Sequence, residues 1–267
     1  MQIGFIGAGK MAEAIIAALV QTELCDPWEI MACDTSEERR DIMATTYQVA
    51  VTDNIEGTIS TSDVIVLAVK PQDLDDLLKT HKKRFTKKQL VISIAAGKTL
   101  AVLRKALGTQ PRLIRVMPNL ALMVQEGMSV YCAAKNATDA DKQLVAQIFG
   151  SAGSVLELSE KRFDAVTALS GSGPAFFAYY LKAMVDGAVA LGMPADAARL
   201  LAEQTLIGTG IYLQNTGRNI EEFIQAVASP KGTTAAGLAV LSKSSVAKNI
   251  AKTLAAAAAR SAELSQA

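Results

Sequence analysis

With 267 residues the chain is long enough for two ordinary domains, and 27 Lys and Arg against 26 Asp and Glu leave a formal charge of +1. That balance gives no electrostatic reason to expect nucleic acid or an anionic membrane surface as a partner. Half of the residues are hydrophobic and only 5% aromatic, so the interior should be aliphatic and alanine-rich. Cys25, Cys33 and Cys132 lie far apart and form no C-x-x-C pair, and no metal-ligand set stands out. The N-terminus shows no basic-then-apolar leader, and no apolar run is long enough to cross a bilayer, so a soluble, cytoplasmic protein is expected.

The chain begins with a strand-like run, QIGFI, that leads into Gly7-x-Gly9-x-x-Ala12 and a helical segment over 11–20. Gly7 permits the tight turn, Gly9 lets the backbone approach a pyrophosphate, and Ala12 lets the helix lie close to the sheet. The helix start adds N–H groups and the positive end of its dipole. Next comes EIMAC, ending at Asp34, with Ser36, Arg39 and Arg40 just beyond. Asp34 stands where a carboxylate would bond both ribose hydroxyls of NADH, whereas Ser36 and the arginines could hold the 2′-phosphate of NADPH. The residues leave that choice open.

A helical segment over 37–44 follows, then DVIVLAV, which runs into AVKPQ (68–72). The basic run KTHKKRFTKK (79–88) reads as a solvated helix end because DLDD precedes it. It holds the single histidine, His81, which is expected at the surface and leaves the chemistry without a histidine base. LVISIA ends in AAGK (95–98), a helix is expected over Leu100–Leu107, and RLIRVM ends in VMPN (116–119). GMSVYCA and SVLEL complete the set. Short, continuous apolar strands alternating with helices predict an α/β, Rossmann-type doubly wound parallel sheet over 1–160. The turns at the strand ends should line the cofactor cleft. The candidate cofactor-binding residues are Ile6, Gly7, Ala8, Gly9, Lys10, Met11, Asp34, Ser36, Asn54, Ala68, Val69, Lys70, Pro71, Ala95, Ala96 and Gly97.

Residues 161–267 lose the strand pattern and read as helices punctuated by GSGP, LGMP, NTGRN and SPKG. The last helix carries TLAAAAAR (253–260), small side chains that permit close packing. An all-α domain of this kind is a candidate for dimerisation and substrate binding. At the junction, ALSGSGPAFF places Phe177 where dehydrogenases of the β-hydroxyacid class carry a catalytic lysine; the next lysine is Lys182. That departure argues against a hydroxyacid substrate. In SPKGTTAAG (229–237), Gly232, Thr233 and Thr234 fall near a helix start, whose free N–H groups and neighbouring hydroxyls can bind an anion; Ser229 or Thr233 as ordinary N-caps is the competing reading.

GFIGAGKMAEAI, AVKPQ, RVMPN, ALSGSGPAF and SPKGTTAAGL, in this order, resemble the pyrroline-5-carboxylate reductase family. The resemblance implies hydride transfer from NADPH or NADH to the cyclic imine 1-pyrroline-5-carboxylate, giving L-proline in the last step of proline biosynthesis. It implies that Ser229, Gly232, Thr233 and Thr234 bind the substrate, the Thr234 hydroxyl meeting the imine nitrogen as the catalytic contact. It also implies homodimers or higher homo-oligomers, with the clamp of one chain completing the cofactor cleft of another. Where family members commonly have a second glycine, this chain has Lys231, which could add charge near the substrate or point to solvent. Two rivals stand beside this reading: a reductase of another small imine or keto acid, and a non-catalytic dinucleotide-sensing module.

Overall fold

In the computed structural model, which describes residues 1–266, the strands are β1 (Ile3–Ile6), β2 (Ile30–Cys33), β3 (Ala50–Thr52), β4 (Val64–Leu67), β5 (Leu90–Ser93), β6 (Arg112–Met117), β7 (Gly127–Ala133) and β8 (Gly153–Glu157). They form one eight-stranded sheet in the order β3-β2-β1-β4-β5-β6-β7-β8. Helices α1 (Lys10–Gln21), α2 (Glu37–Tyr47), α3 (Ile55–Thr61), α4 (Pro71–His81), α5 (Leu100–Leu107) and α6 (Asp139–Gly150) connect them.

Every residue of β1, β4 and β5 is buried, as expected of central strands covered on both faces. Alternate side chains feed two cores. Ile3 and Phe5 pack with Ile15, Ile16 and Leu19 of α1 and Val145, Ile148 and Phe149 of α6. Ile6 and Leu67 pack with Leu74 and Leu78 of α4 and Leu103 and Leu107 of α5. Each fully buried aliphatic side chain contributes roughly 1.5–3 kcal/mol.

Two features depart from the expected parallel sheet. The three-residue β3 is an additional strand, paired with β2 at the sheet edge. And β7 runs antiparallel to β6, because only a short turn of 3₁₀ helix (Leu120–Val124) separates them. A parallel return needs a crossover of a dozen residues or more, which α6 provides between β7 and β8.

The chain divides into two compact units, Met1–Ser172 with the segment from Ala255, and Gly173–Leu254. Residues 161–172, expected to open the helical half, pack with the sheet. They form α7 (Phe163–Val166) and a π-helical turn (Thr167–Gly171), and Phe163 and Val166 bury themselves against Val130 and Cys132. Arg115, 3% exposed on β6, anchors this segment. Its guanidinium lies 4.6 Å from the centre of the Phe163 ring and donates to Glu160 at 3.0 Å, and the same carboxylate oxygen accepts the Leu100 N–H at 2.7 Å.

The second unit contains α8 (Gly173–Ala190), α9 (Ala195–Thr216), α10 (Ile220–Val227), α11 (Thr233–Lys243) and the start of α12 (Val246–Gln266). Among its residues only Gly173 and Ala198 are buried, while Phe177, Leu191, Leu200, Ile211 and Val240 are each more than half exposed. An apolar surface on this scale marks an interaction face. No helix among the described residues is long and apolar enough to cross a membrane.

Glu160→Ala should leave Arg115 buried without its counter-charge and lower the unfolding free energy by about 3 kcal/mol. Urea denaturation checks this. Lys142→Ala, which removes a half-exposed pair with Glu157, should leave the urea midpoint nearly unchanged.

Candidate active site

The glycine loop is fixed by the pairing of β1 with β4, whose last residues, Ile6 and Leu67, are register partners. Gly7 follows with φ +96°, and a Cβ there would stand 2.8 Å from the backbone of Ala68 and Val69. Its N–H donates to the Cys33 carbonyl at 2.8 Å, and the Ala68 N–H donates to the Ile6 carbonyl at 2.8 Å. Gly9 is the N-cap of α1, extended and without a side-chain cap, and a Cβ on it would meet nothing within 4 Å. The start of α1 is therefore free of a side-chain cap, with Ala8 and Ala12 buried and Lys10 exposed. Met11 is half-buried.

Asp34 braces this loop. One carboxylate oxygen accepts the Ala8 N–H at 2.7 Å and the other the Ser36 N–H at 2.9 Å. Ser36 caps α2 by accepting the Arg39 N–H at 3.3 Å. The Arg39 side chain turns inward, with Nε donating to the Ala8 carbonyl and a terminal nitrogen to Glu13, both at 2.7 Å. Arg40 donates to the carbonyls of Asp34 and Thr35. Burial pushes the Glu13 carboxyl up, but the hydrogen bond and charge of Arg39, with Lys10 behind them, outweigh it and hold the group below its ordinary value.

A cleft of about 210 Å³ opens at this sheet edge, lined by Ile6, Gly7, Asp34 and Val69 of the expected residues. It is also lined by Cys33, Thr35, Asp53, Ile55, Asp73 and Leu77, which sequence reasoning missed. Thr35 and Asp53 adjoin expected positions; Asp73 and Leu77 lie one and two turns into α4, and the step from Pro71 along one helix face could have found them. Asn54 lies beside the cleft with its side chain spent on capping α3, accepting the Gly57 N–H at 3.0 Å. Lys70 and Pro71 begin α4, with Lys70 exposed, and Ala95, Ala96 and Gly97 form the turn after β5, where Gly97 lies against Leu264. His81, expected at the surface, ends α4 half-buried, its Nδ1 3.7 Å from Glu56, and it does not line the cleft. The Cys132 thiol is pushed up to about 12, chiefly by burial, and stays protonated.

In the second unit, Gly232 donates its N–H to the Ser229 carbonyl at 3.0 Å, closing a turn with Pro230 and Lys231 at its centre. Lys231 has φ +62°, the left-handed conformation that the third position of a type II turn demands. That explains why glycine suits this position. The Lys231 side chain is exposed. A Cβ on Gly232 would collide with the Ser229 Oγ. Gly232 is the N-cap of α11 and contributes no side-chain cap. The hydroxyls of Ser229, Thr233 and Thr234 donate to and accept from no other group among the described residues, so neither Ser229 nor Thr233 serves as an ordinary cap. By contrast α2, α3, α5, α6 and α10 all start on a side-chain cap.

The family model for pyrroline-5-carboxylate reductase dimerisation matches residues 160–264, and that for NADP oxidoreductase, coenzyme F420-dependent, matches 2–97. A pyrroline-5-carboxylate reductase of Arabidopsis thaliana is 40% identical over 266 residues, covering 99% of this chain and 96% of that one. The chain belongs to the pyrroline-5-carboxylate reductase family. Among solved structures, the reductase of Coxiella burnetii superposes with a TM-score of 0.94 at 33% identity, covering 99% and 98% of the two chains. The Plasmodium falciparum enzyme, solved with NADP bound, gives 0.88 at 28%, again covering 99% and 98%. This family member is accordingly an NAD(P)H-dependent oxidoreductase with a Rossmann-type sheet and a helical dimerisation region.

The two glycines should separate folding from binding. Gly9→Ala should keep its melting temperature yet bind nicotinamide dinucleotide at least about tenfold more weakly, because its methyl projects into open space above the loop. Gly7→Ala should lose both stability and binding, since it adds left-handed strain and a backbone collision. Thermal melts and nucleotide titrations of both variants check this.

Proposed function

We propose that the chain reduces 1-pyrroline-5-carboxylate to L-proline with NADH or NADPH as donor, as a homodimer or higher homo-oligomer built through its helical unit. The observation that carries the reading is the start of α11, which has no side-chain cap while the neighbouring hydroxyls of Ser229, Thr233 and Thr234 bond to no other described residue. Such a start is matched to one anionic group, and the imine substrate carries one carboxylate.

The reduced nicotinamide supplies a hydride when bound. The glycine loop over residues 6–11 would hold its pyrophosphate, Asp34 and Ser36 its ribose, and the strand-end turns at 68–71 and 95–97 the remainder. Ser229 and the N–H groups of Gly232, Thr233 and Thr234 hold the substrate carboxylate. The Thr234 hydroxyl bonds the ring nitrogen and so decides which face of the C=N bond is presented. The imine carbon gains the hydride, and the nitrogen, protonated in advance or by water, becomes a secondary amine. A threonine hydroxyl is too weak an acid to supply that proton near neutral pH, so Thr234 positions the ring. Most of the acceleration comes from alignment of donor and acceptor carbons. Assembly is required because the helical unit covers almost none of its own apolar surface.

Thr234→Ala should lower kcat with the imine about tenfold or more, some 1.4 kcal/mol, and raise its KM, while nicotinamide binding stays within about twofold. Steady-state kinetics beside nucleotide titration check this, and unchanged kinetics would remove Thr234 from the site. Small keto acids assayed in parallel should be poor substrates; nucleotide binding without turnover of any of them would favour a sensing module.

Lys231 occupies its left-handed position at a cost of about 1 kcal/mol. Lys231→Gly should therefore leave KM within about twofold, whereas Lys231→Val, β-branched at a positive φ, should distort the turn and raise KM for the imine.

A further inference from the structure

We infer that the nucleotide cleft selects NADH over NADPH, with Asp34 as the residue that enforces the choice. The inference rests on the dinucleotide-binding reading of the cleft and is independent of the imine.

Of the two arginines that could neutralise a 2′-phosphate, Arg39 is committed elsewhere and Arg40 is tethered through Nη1 to backbone carbonyls. Arg39 holds the Ala8 carbonyl and Glu13, and its side chain is only 17% exposed. Swinging it into the cleft would break both bonds and strand Glu13, itself 8% exposed, without its principal counter-charge. Arg40 ties down the carbonyls of Asp34 and Thr35. The remaining phosphate-binding device, the N-terminus of α2, carries Glu37 and Glu38 in its first turn.

The cleft wall is acidic, with Asp34, Asp53 and Asp73 all lining it. A phosphate ester there would meet the carboxylates of Asp34, Asp53 and Asp73, with Arg39 held away on Ala8 and Glu13 and Arg40 tethered through one terminal nitrogen. For an unphosphorylated ribose the same wall is favourable. The N–H groups of Ala8 and Ser36 hold the Asp34 carboxylate in one orientation, each taking one oxygen. Each oxygen keeps acceptor capacity for a hydroxyl. Asp34 thus joins the two ends of the cofactor site, bracing the glycine loop while presenting a preorganised acceptor to the ribose.

The test is equilibrium titration of the full chain, without imine, by NADH and NADPH and by 5′-AMP and 2′,5′-ADP. NADH should bind at least about tenfold more tightly than NADPH at low ionic strength, and 5′-AMP more tightly than 2′,5′-ADP. The gap should narrow with added salt as the repulsion is screened. Asp34→Asn should weaken NADH and strengthen NADPH, shifting their ratio at least about fivefold. Because that variant also loosens the glycine loop, Asp73→Asn provides a second reading: its carboxylate is exposed where it lines the cleft, and its loss should shift the ratio of NADPH to NADH affinity about twofold toward NADPH. Equal or tighter binding of NADPH by the unsubstituted chain would overturn the proposal alone. Binding of neither nucleotide would overturn it together with the dinucleotide reading.

Discussion

The fold and the site both depend on one backbone contact, the passage of Gly7 over the end of β4. Only a residue without a Cβ fits there, and only in the left-handed half of conformational space. That contact lies just past the paired ends of β1 and β4 and leads into the uncapped start of α1. The loop is then locked from the side by Asp34 on Ala8 and by Arg39 on the Ala8 carbonyl. These constraints lead into a helix start that no side chain caps.

The second unit repeats the device with another purpose. Both α1 and α11 begin at a glycine that provides no cap, whereas five other helices close their starts with Ser, Thr or Asn. An open start leaves backbone donors without partners, a cost that only a ligand or water offsets. At α11 the strained turn at Lys231 and the contact of Ser229 with Gly232 hold that start in shape. Both helix starts therefore present backbone donors shaped by turns, and no histidine stands in either. This agrees with the position of His81, which lies half-buried outside the cleft.

Much of this was legible in the residues because the signals are local. The glycine loop, the buried runs of β1, β4 and β5 and the hydroxyl-rich start of α11 each lie within about ten consecutive residues. What escaped was set by distant partners. The three-residue β3 has too little apolar pattern to stand out and exists because β2 offers it an edge. The antiparallel β7 follows from the shortness of its connection, not from its composition. The role of Arg39 could not be read from its neighbours in sequence, since the groups that claim it come from Ala8 and Glu13. Residues 161–172 read as helical, which they are, but their packing against the sheet depends on the burial of Arg115 under Phe163.

The central claim is a direct hydride transfer to the carbon of a cyclic imine whose carboxylate is held at the start of α11. The most direct measurement is reduction of 1-pyrroline-5-carboxylate by nicotinamide dinucleotide deuterated at the transferring position, with NMR to locate the label. The account predicts L-proline carrying one deuterium on the ring carbon next to nitrogen and remote from the carboxylate, placed on one face only. Proline without label, label on both faces, or no oxidation of the nucleotide would contradict it.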